Sequence, residues 1–149
     1  MLNVEHFREL VVRPVLEHLN MHSEAAENLV LGTGIHESAL CYLVQLGGGP
    51  ALGLYQMEPA THDDIRRYIN RKPNLVLLES DGTEADEMVW NLKYATCMCR
   101  IHYWRRPEPL PDADDADGMG EYWKRWYNSN LGAGTADGFA RDYRQYVLA

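Results

Sequence analysis

The chain has 149 residues, 46% of them hydrophobic, and 22 acidic against 14 basic side chains give a formal net charge of −8. Length and apolar fraction suit a single domain over residues 1–149 with a proper core, and the acidic balance argues against nucleic acid, whose phosphates are bound by Lys and Arg. No run of about 18 apolar residues occurs, so no membrane span is expected, and Met1–Arg8 has neither the basic region nor the apolar run of a secretory signal.

Val4, Phe7, Val11, Val15 and Leu19 recur at helical spacing and predict a helix over residues 3–20, which Pro14 should kink or split. Ser23 suits the N-cap of a second helix, with Glu24 and Glu27 near its positive end. That helix runs through Leu29, Val30 and Leu31 and carries Glu37 toward its end. Gly32 and Gly34 each cost roughly 1 kcal/mol relative to Ala in a helix interior. They predict close approach of a neighbouring helix, of a ligand beside Glu37, or of both.

Cys41–Leu46 and Ala51–Met57 flank Gly47, Gly48, Gly49 and Pro50, the strongest turn signal present, and predict a small β-hairpin excursion near residues 41–57. Pro59 suits the first turn of a helix over residues 60–70, and Arg71–Asn74 reads as a connector. Thr83 with Asp86 matches a capping box opening a long helix to about Arg105. Its stripe of Val89, Leu92, Thr96 and Cys99 predicts the central buried helix, ended by Pro107, Pro109 and Pro111. A short helix over residues 120–128 follows, then Gly132, Ala133 and Gly134 as a hinge. Thr135 is placed to cap a last helix, with Phe139, Tyr143 and Tyr146 or Val147 facing inward. The fold class expected is mainly α, with the small β excursion between two helices.

Cys41, Cys97 and Cys99 form an odd count without framework spacing and read as reduced, core-type residues of a protein folded in a reducing compartment. Cys97, Cys99 and His102 do not make a metal site, because helical residues two apart point about 200° from each other. Asp112, Asp114, Asp115 and Asp117 lie in a Pro/Asp-rich loop without the Gly and terminal Glu of a calcium loop, and read as a solvated connector. No metal or cofactor is expected.

The informative segments are Gly32–Ser38 and Gly53–Thr61. They set Glu37 at the end of a helix opposite a return segment carrying Tyr55 and Gln56, an arrangement suited to cleaving a glycosidic bond, which needs an acid to protonate the leaving oxygen. Ile35, Leu40, Leu54 and Tyr55 around Glu37 would strip its hydration and raise its pKa; the plainer reading is a surface glutamate ending a helix. Glu58, Asp63 and Asp64 are the nearest carboxylates on the opposing element, with Glu58 the candidate second carboxylate and water-activating base. His36 and His62 flank the segments and read as structural or cleft-lining, since adjacent helical side chains diverge by about 100°.

Glu37-Ser38, then Gly53, Leu54, Gln56, Pro59 and Thr61, then Trp126-Tyr127-Asn128, resemble in order and rough spacing the motifs of lytic transglycosylases and goose-type lysozymes. The resemblance covers residues 31–61 and 122–143. It departs at Tyr55, where the family usually has Met, at Glu58, where it usually has an apolar residue, and between Ser38 and Gly53. The resemblance implies a lysozyme-like fold and a muramidase that cleaves the MurNAc–GlcNAc β-1,4 bond of peptidoglycan. Glu37 would be the single catalytic acid and then base, and the product a 1,6-anhydro sugar. Ser38, Tyr55, Gln56, Tyr127 and Asn128 would contact substrate, with Glu37, Gln56 and Tyr127 lining one cleft. The partners expected are peptidoglycan glycan strands and, in a phage particle, other virion proteins. The protein would be made in a host cytoplasm and reach the wall in a virion or by release at lysis. The alternative is a non-enzymatic tail or baseplate protein that retains the lysozyme-like fold, which the acidic charge and the motif departures favour.

Overall fold

A computed structural model describes residues 1–75, 84–128 and 132–149. The chain is mainly helical, and among the described residues there is no β-sheet. The first helical run comprises α1 (Val4–Phe7), a π turn (Arg8–Val12) and α2 (Arg13–His18). Pro14 divides the run as its chemistry requires, but through a widened turn rather than a break. Its ring would clash with the carbonyl four residues back, and in the turn just before it the Arg13 N–H reaches back to the Arg8 carbonyl.

Helix α3 (Glu24–Ser38) starts where expected, the Ser23 hydroxyl accepting from the Ala26 N–H at 3.0 Å. It is buried on every face from Ala26 to Ile35. The expected central helix is instead two elements, α5 (Glu87–Trp90) and α6 (Leu92–Trp104), separated at Asn91. The Asn91 side chain caps α6 by accepting from the Tyr94 N–H at 3.0 Å, so an Asn with extended backbone supplies the cap; Thr83 lies outside the described residues. Buried from Tyr94 to Tyr103, α6 shares the centre of the molecule with α3. Both glycines of α3 meet protein rather than open space: a Cβ on Gly32 would lie 3.1 Å from the Tyr143 ring, and one on Gly34 3.0 Å from Leu40.

The hairpin expected near residues 41–57 is not formed. Val44 and Met57 each make one isolated antiparallel bridge, both to Leu52. Leu52 is thus used on both sides within one residue, because the chain turns back at once through Gly53 (φ 76°) and Gln56 (φ 50°). That turn folds Leu54 and Tyr55 into the core, which a flat ribbon would not do. From this excursion the chain enters α4 (Pro59–Asn70), with Pro59 in its first turn.

Helix α7 (Ala116–Trp123) begins four residues before the expected start, because Asp115 caps it by accepting from the Gly118 N–H at 2.9 Å. It runs into a π turn (Lys124–Asn128) and is packed closely against α8 (Ala136–Asp142), which Thr135 caps as expected. A last π turn (Tyr143–Val147) returns to α3. The buried apolar residues form one cluster from Phe7 to Val147. Cys97 and Cys99 belong to it, whereas Cys41 is exposed, against expectation, because it lies where the chain leaves α3 for the irregular excursion. Among the described residues no helix is long and apolar enough to cross a membrane.

Candidate active site

A cleft of about 690 Å³ opens at the C-terminal end of α3. His36, Glu37 and Ser38 lie along it; Tyr42, Gln45, Leu46, Gln56 and Glu58 come from the excursion and its junction with α4. Trp123, Tyr127, Asn128 and Gly132–Gly134 come from α7 and the segment after it. Three separate stretches of chain therefore meet around one carboxylate. The irregular excursion supplies the wall that a hairpin was expected to make.

Glu37 is half-buried, and loss of hydration pushes its carboxyl up to about 7. A single hydrogen bond works in the other direction: the Trp123 indole N–H donates to Glu37 Oε2 at 2.9 Å. The rings around it fix the position of this indole. Phe139 of α8 stacks on it at 5.2 Å and 19°, and His36 meets it edge-on at 4.7 Å and 86°. His36 in turn holds Asp142, Nδ1 to Oδ2 at 2.7 Å. At Gly134 the chain passes so close that a Cβ would come within 2.6 Å of the Trp123 ring.

The other candidate residues divide into those at the cleft and those turned away. Gln56 lines it in a left-handed conformation, its amide donating to the Gly53 carbonyl at 3.0 Å. Ser38 also lines it but is buried, and its hydroxyl donates to the Gly34 carbonyl of its own helix at 3.1 Å. The ring of Tyr127 contributes to the wall, while its hydroxyl donates to the Tyr55 carbonyl and not to the acid. Tyr55 does not contact the cleft. It is 2% exposed and its hydroxyl pairs with Thr96 at 2.8 Å, because the Gly53–Gln56 turn points this ring into the core. Tyr55 is a core residue and does not take the substrate-binding position expected of it.

Asn128 lines the cleft with its side-chain oxygen already engaged by Lys124 Nζ at 2.7 Å. The same ammonium donates to the carbonyls of Gly132 and Gly134, at 3.0 and 2.7 Å, and so ties down the far wall. Glu58 is exposed and lines the cleft. Asp63 and Asp64 do not line it: they face His62 at 2.9 Å and Arg105 at 2.6 Å. His62 is fully buried, with Nε2 on the Tyr94 hydroxyl at 2.7 Å.

Trp123, Lys124 and Asp142 were not legible as site residues. Trp123 and Glu37 are 86 positions apart, and no periodicity connects them; the only signal was a tryptophan in the short helix before Trp126-Tyr127-Asn128. Chemically, the arrangement is a carboxylic acid that keeps its proton near neutral pH beside an open cleft. The Trp123 N–H, its donor among the described residues, is ready to stabilise the carboxylate left after proton transfer. Among the described residues no group of three or more His, Cys, Asp or Glu side chains is arranged to hold a metal ion.

Compared with known proteins, the chain matches no family model, no curated protein and no solved structure.

Proposed function

We propose that the protein is a peptidoglycan-degrading muramidase of phage origin, acting on the MurNAc–GlcNAc β-1,4 bond with Glu37 as its acid. The observation that carries this reading is a carboxyl raised to about 7 by burial at the side of an open cleft. General acid catalysis is most effective when the pKa lies near the working pH. A polymer also has to enter from the side, which an open cleft permits.

In the single-glutamate mechanism, the Glu37 carboxyl gives its proton to the glycosidic oxygen as the bond from that oxygen to the MurNAc C1 breaks. The acetamido carbonyl oxygen of the same sugar bonds to C1 and carries the positive charge. Glu37, now a carboxylate held by the Trp123 N–H, takes the proton from the 6-hydroxyl. That oxygen bonds to C1 and displaces the acetamido oxygen, closing a 1,6-anhydro ring. No water is consumed and Glu37 ends protonated, ready for the next bond. Gln56 lies on the opposite wall with its amide oriented by Gly53, positioned to accept from or donate to sugar hydroxyl and acetamido groups.

A second reading keeps Glu37 as the acid but has water attack C1. It is favoured by Glu58, an exposed carboxylate on the same cleft, whose exposure suits a base that takes a proton from water. A clearing assay on outer-membrane-permeabilised cells tests the muramidase proposal. The expected result is loss of turbidity with wild-type protein and none with Glu37→Gln. Folded wild-type protein that clears nothing between pH 5 and about 8 would leave the non-enzymatic virion reading in its place.

A further inference from the structure

We infer that Asp142 and His36 are a positioning pair that holds the Trp123 indole N–H on Glu37. A hydrogen bond from an indole requires the ring plane to be set, because the N–H lies in that plane and cannot rotate independently of it. Stacking on Phe139 restrains the tilt of the Trp123 plane but leaves sliding within that plane open. The edge-on contact from His36 at 4.7 Å and 86° blocks that sliding. The His36 ring is itself fixed only if its own plane is set, and the 2.7 Å contact from Nδ1 to Asp142 Oδ2 sets it. An N–H at Nδ1 donates to that carboxylate, a common way for an acid to select a histidine tautomer and orientation.

The placement in the chain supports the same conclusion. His36 precedes Glu37 on α3, whereas Phe139 and Asp142 both lie on α8. One helix therefore supplies both contacts that align the indole, the stack directly and the edge through histidine. A pair serving only to join α3 to α8 would not need its imidazole set at right angles to the indole that binds Glu37. Neither Asp142 nor His36 is asked to touch the reacting atoms, and both act through Trp123.

The consequence is a signed shift in the titration of Glu37, whose proton affinity the Trp123 hydrogen bond lowers. The other titratable groups facing Glu37 are Cys99 and Tyr103 of α6 and Tyr127 of the π turn, all pushed up by burial and so neutral near pH 7. His36 and Glu58 lie beside it along the cleft. Displacing the indole removes a stabilising donor from the carboxylate, so the Glu37 titration moves above its wild-type position.

As a statement about catalysis, the inference depends on Glu37 being the acid, but its test needs no turnover. The indole N–H resonance of Trp123, assigned with Trp123→Phe, is followed by NMR through a pH titration of the intact protein. In wild type it is expected to move with an inflection near the Glu37 value, and in Glu37→Gln that inflection is expected to vanish. In His36→Ala and Asp142→Ala the resonance is expected upfield, toward a free indole, with its inflection at higher pH. Asp142→Asn, which keeps an acceptor for the imidazole, is expected to lie between these and wild type. An inflection that persists in both Glu37→Gln and the Glu37→Gln/His36→Ala double variant overturns the inference, as do His36→Ala and Asp142→Ala proteins that melt cooperatively and keep the wild-type shift and inflection. If the resonance responds as expected but no variant or wild type degrades peptidoglycan, the pair stands and the muramidase reading falls.

Discussion

Two glutamates of α3, Glu27 near its start and Glu37 near its end, are both withdrawn from water and titrate at opposite extremes. Burial pushes each carboxyl up. At Glu27 it is outweighed by hydrogen bonds from Arg13, Arg8 and His22, which hold the group at about 2. At Glu37, among the described residues, the Trp123 indole alone opposes it, and the group stands at about 7. Position on the helix adds to the contrast, since the N-terminal end of a helix favours a negative charge and the C-terminal end disfavours it. The same side chain on one helix thus becomes a permanent anion that ties α3 to the first helical run, or an acid that holds its proton. The difference lies in the supply of cations and not in depth alone.

The largest expected effect is on chemistry. Glu37→Gln should keep the fold and lower cleavage by about 10²–10⁴-fold, the usual range for losing a general acid, as read by release of soluble muropeptides. Glu27→Gln should do the reverse. It leaves the buried guanidinium of Arg8 without its carboxylate, and removing one partner of a buried pair is strongly destabilising; Arg13, the more exposed of the two, loses little. Urea melts would register that loss, while turnover per folded molecule stays near wild type. If Glu27→Gln proves as stable as wild type, the contrast between the two sites is wrong.

A smaller effect separates the sites by pH. The Glu27 carboxyl is depressed in the folded state, so its contribution is complete above its ordinary value of 4.5 and is lost as pH falls through about 2. The Glu37 carboxyl is raised, so the folded state holds a proton that the unfolded state has released between 4.5 and about 7. Stability therefore declines across that window as pH rises, and above it the full cost remains. Glu37→Gln removes the cost. It should match wild type near pH 4 and exceed it by roughly 1–3 kcal/mol at pH 8, as measured by paired melts at the two pH values.

The smallest effect is a shift in a profile. Trp123→Phe deletes the donor that lowers Glu37, so the basic limb of the rate profile should move to higher pH. A limb that stays in place or moves down would show that the indole does not act on the acid.

The sequence carried the helices whose signals are local. Ser23 and Thr135 cap α3 and α8 through the hydroxyl bonds their type predicts, and Pro59 opens α4. The excursion differs from the expected hairpin because alternation and a Gly-rich turn cannot report that Leu52 is paired on both sides at once. Asn91 is not legible as a cap because the apolar stripe continues across it from Val89 to Leu92. Glu37, Gln56 and Tyr127, named from motif order, line one cleft, whereas Tyr55 is turned into the core by the left-handed turn beside it. The contacts that tune the acid come from α7 and α8, too far along the chain for spacing to reveal.

The claim that Glu37 cleaves a glycan as a proton-holding acid is tested most directly by mass spectrometry of the fragments released from purified sacculi. Wild-type protein is expected to release disaccharide muropeptides ending in 1,6-anhydro-muramic residues, each lighter by one water than the hydrolysed form, and Glu37→Gln to release almost none. Reducing ends alone would transfer the second step to water and Glu58. Folded wild-type protein releasing no fragments, or Glu37→Gln releasing them at the wild-type rate, would contradict the account.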